Sequence, residues 1–278
     1  MEFVEERGEN SSMHLSPVLD VNGIPIDLSA FLMITITCIM VFILARLSVR
    51  NLSLTNPGKL QNFMEWVVDF VQNIISSTMD TKLGKKFLSL GLTLIMFIFV
   101  ANLLGLPFAV VTEPHEPVSM FGYEMKDVNE GVEEAKQQKA AGYEDAHYPH
   151  VVWWKSPTAD ASVTMGLAAI TIFLVHFLGL TTNTRHYVKH YFDPHWLFFP
   201  LNLLKQAAKF LTLGLRLFGN IFAGEVLIAV LIGAGIFGIP GLIIWQGFSL
   251  FIGAIQAFIF VMLTMVYLSQ ELNTPEHH

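Results

Sequence analysis

Charge is scarce in this chain of 278 residues. Only 14% of the residues are Asp, Glu, Lys or Arg, whereas a soluble domain carries about 25%. Hydrophobic residues make up 53% of the chain, and the mean hydropathy is +0.53. This composition excludes an ordinary soluble domain and indicates an integral membrane protein, which is better divided into membrane spans than into soluble domains.

Cysteine is nearly absent, and the N-terminal segment is not basic. Cys38 is the only cysteine, so it cannot form an internal disulfide, and its apolar surroundings indicate ordinary helix packing. Residues 1–29 contain six acidic residues against Arg7, whereas a cleavable signal needs a basic start. We therefore expect residues 1–27 to be an external acidic tail.

The apolar runs predict about five membrane helices within a single membrane domain, residues 28–278. The first three cover about Leu28–Ala45, Phe87 to the "GLP" at Gly105–Pro107, and Ala161–Leu180. Val226–Gln270 has no charge but is interrupted by "GAGIFGIPG", whose four glycines and proline predict a tight turn. The fold class is therefore an all-α membrane protein that ends in a long, tilted hairpin of two helices, about 203–232 and 241–270.

A sixth helix is predicted to lie on the membrane surface. Residues 57–79 follow an Asn-Pro-Gly sequence and carry apolar side chains at helical spacing, which are Phe63, Trp66, Val67, Phe70 and Ile74. This pattern predicts an amphipathic helix on the inner surface.

Lysine and arginine set the predicted orientation. Segment 46–86 carries six of them, and Arg185 and Lys189 follow the third span, so both segments should face the cytoplasm. Loop 113–155 has nine acidic residues against four lysines and should be external, with Trp153 and Trp154 at the membrane interface. The N-terminus is then outside and the C-terminus is cytoplasmic.

The external loop also contains His115, His147 and His150. Their spacing is not that of a regular metal site, so a solvated excursion is the favoured interpretation and a metal site the alternative.

Only two charged residues, Arg216 and Glu225, lie between Phe210 and Gln270. A cation at the centre of a membrane helix costs about 2.5–3.5 kcal/mol even on insertion scales. The two residues are nine positions apart, about 900° of rotation and ~13.5 Å of rise, whereas an ion pair within one helix needs a spacing of three or four. They should therefore serve different aqueous environments, with Glu225 toward the external end as a proton relay.

Other polar side chains of the predicted hairpin align with Arg216. Asn220 lies four residues on and shares its face, and Gln256 on the final helix is expected to hydrogen-bond the guanidinium. Ser249 and Tyr267 share the face of Gln256 within about 20° each, although polar residues also join membrane helices by packing.

Two further candidates belong to the third span. Asp160 at its external mouth fits either a helix N-terminal carboxylate or a vestibule shared with Glu225. His176, about four turns deeper, fits either helix packing or the ion pathway.

Five stretches together resemble subunit a of the bacterial F-type ATP synthase, in its Bacillus-like branch. They are "QNFMEWVVDF" (61–70), "VANLLGLPF" (100–108), "WWKSPTADASVT" (153–164), "TLGLRLFGNIFAGE" (212–225) and "QAFIFVMLTMVYLS" (256–269). The resemblance covers most of residues 28–270 in order, while residues 113–150 look like an insertion.

The resemblance implies a stator in the bacterial plasma membrane that offers two offset half-channels to a ring of c subunits. Arg216 would face the ring as a barrier to proton leak, oriented by Asn220 and Gln256. Glu225 and Asp160 would line the external half-channel, where Ser249 replaces a histidine of some relatives. The implied partners are the c ring, the b subunits of the peripheral stalk, the peripheral ATP-synthesising sector and membrane lipid, with no nucleic acid.

The chain departs from the family pattern on the cytoplasmic side. Relatives usually carry a glutamate, often a pair, ten to fourteen residues before the arginine, and here Asn202, Lys205 and Gln206 occupy that region, followed by Lys209. We hypothesise that these residues form the cytoplasmic half-channel and that their positive charge disfavours proton occupancy.

Two other function classes stay open from the residues alone. A secondary transporter or channel would also keep charges in the membrane, but the sequence has no inverted repeat. A non-conducting anchor would use the amphipathic helix but would not need Arg216. Phosphate-binding, Ser/His/Asp and zinc motifs are lacking, so we expect no cofactor and no ATP chemistry on this chain.

Overall fold

The computed structural model describes residues 14–105, 110–143, 148–192 and 195–272, and helices dominate these ranges. The helices are α1 (Leu28–Ser48), α2 (Lys59–Thr78), α3 (Thr81–Gly84), α4 (Leu88–Leu104), α5 (Lys126–Ala140), α6 (Ala161–Phe192), α7 (Phe199–Gly233) and α8 (Ile239–Leu272).

Five described stretches are long and apolar enough to cross a membrane. They are Leu28–Ser48, Thr81–Leu104, Ala161–Thr182, Trp196–Gly233 and Gly235–Leu272. The predicted all-α membrane protein with five membrane helices and a long C-terminal helix pair is confirmed.

The chain divides into two compact units. One comprises Met1–Met33 and Phe108–Lys155, and the other comprises Ile34–Pro107 and Ser156–His278. The predicted division into a tail, residues 1–27, and a membrane domain, residues 28–278, stays a prediction. Residues 1–13 of the tail lie outside the described residues.

The first unit contains short strands as well as α5. The strands are β1 (His14–Leu15), β2 (Val18–Val21), β3 (Ile24–Asp27), β4 (Val111–Thr112), β5 (Ser119–Met120), β6 (Tyr123–Glu124) and β7 (His150–Val152). β7 pairs in parallel with β1 and antiparallel with β4, while β2–β3 and β5–β6 form antiparallel pairs.

The first unit has a small hydrophobic core of its own. Leu19, Met125, Val128 and Val151 are buried together, and Val132 and Ala135 continue the buried stripe of α5. The predicted solvated excursion over 113–155 therefore has regular structure in its described part. The charges around this short apolar stripe concealed it in the sequence.

An ion pair holds the end of β3 in this unit. Lys155 Nζ lies 2.7 Å from Asp27 Oδ2, and Asp27 Oδ1 accepts the N–H groups of Ser29 and Ala30 at 2.9 and 3.1 Å. Burial acts to raise the pKa of the Asp27 carboxyl, but the Lys155 hydrogen bond and charge outweigh it and lower the pKa below its ordinary value.

Two of the loop histidines have other contacts. The His115 ring meets Tyr148 edge-on with 4.2 Å between ring centroids, and His150 Nε2 lies 3.3 Å from Glu113 Oε1. His147 lies outside the described residues. No group of three potential metal ligands occurs within the described ranges.

The core of the second unit joins α2, α4, α6, α7 and α8. In α2, Met64, Val67, Val71 and Ile74 are buried at helical spacing within this core, and the helix packs on α4 and α8. The predicted amphipathic helix therefore forms, although Phe63 and Trp66 are exposed rather than on the buried face. Its place on the inner membrane surface stays a prediction.

The C-terminal hairpin is longer than predicted. A 3-10 turn, Gly235–Gly238, joins α7 to α8. Gly235 has φ +61°, a conformation that favours glycine, and a side chain at Gly238 would overlap the carbonyl oxygen of Leu231.

α6 is also longer than the predicted third span. It continues to Phe192 and so includes much of the segment predicted to face the cytoplasm, residues 181–195. No glycine or proline interrupts residues 181–192.

Candidate functional site

Arg216 lies on α7 at the boundary between a buried and an exposed face. Leu213 and Leu217 are each only 1% exposed, whereas Leu215 is 49% exposed, and Arg216 itself is half-buried. Successive helical residues differ by about 100°, so the arginine points neither into the core nor fully away from it. Its guanidinium can therefore reach a group that passes along the exposed face.

An exposed apolar stripe runs along that face of α7. Its members recur every three or four residues, as expected for one side of a helix. They are Leu204, Ala208, Leu211, Leu215, Gly219, Phe222, Val226 and Val230. α7 belongs to the least buried of the five candidate spans.

The predicted contact between Gln256 and Arg216 is not formed. Gln256 is buried on α8, with 6% exposure, but no hydrogen bond between these two side chains occurs in the described structure. Tyr267, eleven residues further along α8, is half-buried, and its ring centroid lies 5.1 Å from Lys209 Nζ.

A cavity of about 290 Å³ lies beyond Arg216 toward the C-terminal end of α7. It brings together the predicted residues Asn220, Glu225 and Ser249. The remaining lining comprises Asn102, Gly105, Ser156, Ile221, Ala223, Gly224, Ile228, Trp245, Phe248 and Ile252. We call this space the Glu225 cavity. It has room for several water molecules, each of which occupies about 30 Å³ in the liquid.

Trp245 also lines this cavity. Its Nε1 atom is buried and has no acceptor within the described residues, which is costly for an N–H group. The polar side chains of the lining that can hydrogen-bond water include Asn220, Glu225 and Ser249. The cavity is thus suited to hold water beside the Glu225 carboxylate.

A buried polar network forms one wall of the Glu225 cavity. Asn102 Nδ2 donates to the carbonyl oxygen of Gly253 at 3.1 Å, and Thr158 Oγ1 donates to Asn102 Oδ1 at 2.6 Å. Ser156 Oγ lies 2.6 Å from Thr158 Oγ1 and donates to the carbonyl oxygen of Ala101 at 2.9 Å. These bonds tie α4, α8 and the 3-10 turn Pro157–Ala159 together.

Asp160 is not part of this lining. Its Oδ1 accepts the N–H of Ser162 at 2.8 Å, and its carbonyl oxygen accepts the N–H of Thr164 at 3.1 Å. Both contacts are those of a residue that caps the start of α6. Of the two interpretations of Asp160, the local geometry favours the helix N-terminal carboxylate over the vestibule shared with Glu225.

The other end of α7 meets α6 and α8 in a polar cluster. His176 Nδ1 lies 2.8 Å from the Tyr187 hydroxyl, and Tyr187 is buried. Gln206 Nε2 donates to Glu271 Oε1 at 3.3 Å, and Lys209 Nζ lies 3.8 Å from the same oxygen. We call His176, Tyr187, Gln206, Lys209 and Glu271 the Glu271 cluster.

Lys205 and Asn202 lie beside this cluster rather than within it. Lys205 is exposed, and its Nζ donates to Asn202 Oδ1 at 3.4 Å. Of the three predicted cytoplasmic residues, only Gln206 therefore contacts the buried carboxylate.

Sequence reasoning missed two of the polar groups just described. Asn102 is the one amide within α4, Leu88–Leu104, and that isolation could have marked it. Glu271 follows the long uncharged run directly, so it looked like the start of a solvated terminus. Its burial depends on packing against α6 and α7, which no local pattern reveals.

The two polar regions lie on opposite sides of Arg216 along α7. Glu225 is nine residues beyond the arginine and Lys209 is seven before it, which correspond to about 13.5 Å and about 10.5 Å of helix rise. Protons can be exchanged at either region by carboxylates and water, whereas arginine stays protonated. The arrangement therefore places two polar regions, each with a carboxylate, on either side of a fixed positive charge.

Comparison with known proteins gives a consistent result. Residues 30–269 match the family described as "ATP synthase A chain". The chain is similar to "ATP synthase subunit a" of Priestia megaterium, with 41% identity over 269 residues, 94% of this chain and 98% of the relative. The similarity to the proteins of the same name from Lysinibacillus sphaericus and Listeria monocytogenes is 44% identity, over 94% and 92% of this chain and 98% and 97% of the relatives.

Proposed function

Because the chain belongs to the ATP synthase A chain family, we propose that its C-terminal hairpin offers two offset half-channels to a rotating ring of c subunits. As a family member it is a proton-translocating subunit of the membrane sector of an F-type ATP synthase and a multi-pass protein of the bacterial plasma membrane. The observation that carries the proposal is the position of Arg216 between two separate polar regions.

The exposed stripe of α7 is the surface proposed to face the ring. Its eight positions are apolar or glycine, so a neighbouring membrane helix could move past without breaking hydrogen bonds. Arg216 lies at the edge of this stripe and can attract a deprotonated ring carboxylate in a medium of low dielectric constant. Since arginine keeps its proton, it holds the carboxylate while blocking direct proton flow between the half-channels.

We assign the outer half-channel to the Glu225 cavity. Glu225 would exchange protons with external water, while Asn220 and Ser249 would hydrogen-bond the water between Glu225 and the ring. Asp160 would stabilise the start of α6 at the same end of the membrane domain. In ATP synthesis a proton would pass through this cavity and neutralise the ring carboxylate that had been held by Arg216.

We assign the inner half-channel to the opposite end of α7, where Asn202, Lys205 and Gln206 lie. Tyr267 and His176 would belong to its deeper part. Gln256, which is buried on α8, is proposed to orient Arg216 when a ring carboxylate is bound, because the two side chains form no hydrogen bond in the described structure.

The orientation and partners complete the proposal. The distribution of lysine and arginine supports an external N-terminus and a cytoplasmic C-terminus. In the assembled enzyme the chain would contact the c ring, the b subunits of the peripheral stalk and membrane lipid, and would act with the peripheral sector that carries the ATP chemistry. It needs no cofactor of its own for this role.

Replacing the arginine tests the central claim. Arg216→Ala in the assembled complex should abolish proton-driven ATP synthesis and increase passive proton conductance, because the fixed charge between the half-channels is lost. Synthesis and conductance would be measured in membrane vesicles. Arg50→Ala, which removes an exposed arginine after α1, is the matched control and should change neither. Retained coupled synthesis in Arg216→Ala would refute the proposed mechanism.

A further inference from the structure

Glu271, near the end of α8, carries a deeply buried carboxylate. Its side chain is only 4% exposed. An ionised carboxylate out of water is costly unless several hydrogen bonds and charges compensate it. The contacts of Glu271 therefore decide whether it is a fixed structural charge or a group that can take up a proton.

The described contacts hold this carboxylate only loosely. The amide of Gln206 donates at 3.3 Å, which is longer than usual for an N–H···O bond, and Lys209 Nζ stands 3.8 Å away, beyond hydrogen-bond distance. Lys209 donates instead to Gln270 Oε1 at 3.1 Å. By contrast, Asp27 in the first unit is bonded to Lys155 at 2.7 Å and to two N–H groups.

A glycine on α6 makes space for the Glu271 side chain. A Cβ atom on Gly179 would lie 2.7 Å from Tyr187 Cδ2 and 3.3 Å from Glu271 Cβ. The absence of a side chain at Gly179 therefore leaves room for the Tyr187 ring, on the same helix, and for the Glu271 side chain from α8. The Tyr187 hydroxyl then reaches His176 Nδ1 at 2.8 Å, so a second exchangeable proton lies within the same cluster.

The cluster also extends toward Arg216. Tyr267 lies four residues before Glu271, one turn up the same helix. Its ring centroid is 5.1 Å from Lys209 Nζ. Tyr267 and Lys209 therefore extend the cluster by about one turn from Glu271 in the direction of Arg216.

We propose that Glu271 is the proton-accepting carboxylate of the inner half-channel, supplied by α8 at the point where α7 carries Gln206 and Lys209. This inference rests on the proposed function. During synthesis the ring carboxylic acid loses its proton to the Glu271 carboxylate through intervening water and remains as an anion at Arg216. The Glu271 carboxylic acid then releases the same proton to cytoplasmic water.

Several titratable and charged groups surround Glu271. Those that the described structure brings to it are His176 and Tyr187 from α6, Lys209 from α7, and Tyr267 from α8, with Lys205 adding a more distant positive charge. A test of the pH dependence must therefore change Glu271 itself and leave these neighbours in place.

The test replaces this carboxylate in the assembled complex, within inverted vesicles whose cytoplasmic face meets the medium. Glu271→Gln should lower proton-driven ATP synthesis about ten-fold or more, as expected when a positioned proton acceptor is removed. Subunit content and ATP hydrolysis by the peripheral sector should be unchanged. Asp69→Asn, an acid-to-amide change at an exposed position of α2, is the matched control and should synthesise ATP at the normal rate.

A second variant separates proton transfer from packing. Glu271→Asp keeps the charge but moves it, so the dependence of synthesis on medium pH should shift while the dependence on the pH inside the vesicle does not. The double variant Gln206→Glu with Glu271→Gln returns a carboxylate to the same contact and should recover part of the lost synthesis.

Two results would overturn the inference. One is a normal synthesis rate in Glu271→Gln. The other is an unchanged medium-pH profile in Glu271→Asp, which applies even if the glutamine variant fails to assemble. If either result is found and Arg216→Ala still loses coupling, Glu271 is not the proton acceptor. The proposed stator function would then remain supported. Coupled synthesis in Arg216→Ala would refute the stator function itself.

Discussion

At one end of α7 the carboxylate of Glu225 borders a cavity of about 290 Å³, whereas at the other end Glu271 is packed among side chains with 4% of its own side chain exposed. An open cavity lets water carry protons, so its lining needs few ionisable groups. In the packed cluster Glu271 would bind the proton itself, beside His176, Tyr187 and Lys209, and water would be needed only between the cluster and the ring. The two half-channels proposed here would thus differ in how protons move through them.

The largest effect that would sharpen this contrast is expected at Glu225. Glu225→Gln should lower proton-driven synthesis about ten-fold or more, because the proton-binding group of the outer cavity is lost. Glu225→Asp should shift the dependence of synthesis on the pH inside inverted vesicles and leave the dependence on medium pH unchanged. A shift on the medium side instead would show that the two ends of α7 have been assigned the wrong way round.

The wall of the cavity gives the next effect, on stability. Asn102→Ala removes the acceptor of Thr158 Oγ1 and the donor to the Gly253 carbonyl, so we expect a loss of about 2–4 kcal/mol in the free energy of unfolding. Titration with SDS in mixed micelles would measure it. Thr93→Ala on the same helix is the control, because Thr93 is exposed and bonds only the Ser89 carbonyl. Equal stability of the two variants would mean that the network does not support the cavity.

A smaller effect is expected beside the inner cluster. Lys205→Glu reverses an exposed charge that contacts Asn202, and solvent screens such charges. Coupling should survive, while the dependence of synthesis on medium pH shifts modestly because a positive charge near the cluster becomes negative. Lys59→Glu at the exposed start of α2 should leave the profile unchanged. An identical profile in Lys205→Glu and the wild type would exclude any influence of Lys205 on the inner half-channel.

The smallest effect concerns Asp27, the tightly held carboxylate that contrasts with Glu271. Its folded-state pKa is lowered, so its contribution to stability is present above the unfolded pKa of about 3.9 and is lost as the pH falls through the folded value. We expect about 1 kcal/mol, because the pair is only partly buried. Hydrogen exchange in β2 and β3 between pH 3 and 7 would show this loss in the wild type.

Two matched variants test whether Asp27 causes the loss of stability at low pH. Asp27→Asn should remove the pH-dependent part, whereas Glu116→Gln, at an exposed position of the same unit, should retain it. Equal acid sensitivity in Asp27→Asn and the wild type would assign the effect to another group.

Features that depend on one helix were predictable, and features that depend on packing between helices were not. Arg216 and Glu225 stand out because any charge in a long apolar run is exceptional, and their spacing alone places them on different faces. The Gly233–Gly241 segment predicted the hairpin for the same local reason. The pairing of Gln256 with Arg216 assumed a register between α7 and α8, and the described structure has no hydrogen bond between these two side chains.

The limits of local patterns are clearest at Glu271 and in the first unit. Glu271 lies at a helix end, where a charged residue normally meets water, and its burial arises from α6 and α7. Likewise, β1 and β7 pair although they are more than 130 residues apart in the chain, and β strands of two to four residues have no recognisable alternation. Such contacts follow from the tertiary fold.

The exposed stripe of α7 has a mechanical consequence. Its eight positions offer a sliding neighbour an even surface of carbon atoms, so the energy of that neighbour changes little as it moves across Leu211, Leu215 or Phe222. Arg216, at the edge of the stripe, would add an electrostatic energy minimum for a carboxylate carried by that neighbour. If the proposed ring contact forms, α7 would act as a smooth bearing surface with one preferred stopping point, and the spacing of the passing carboxylates would set the rotational step.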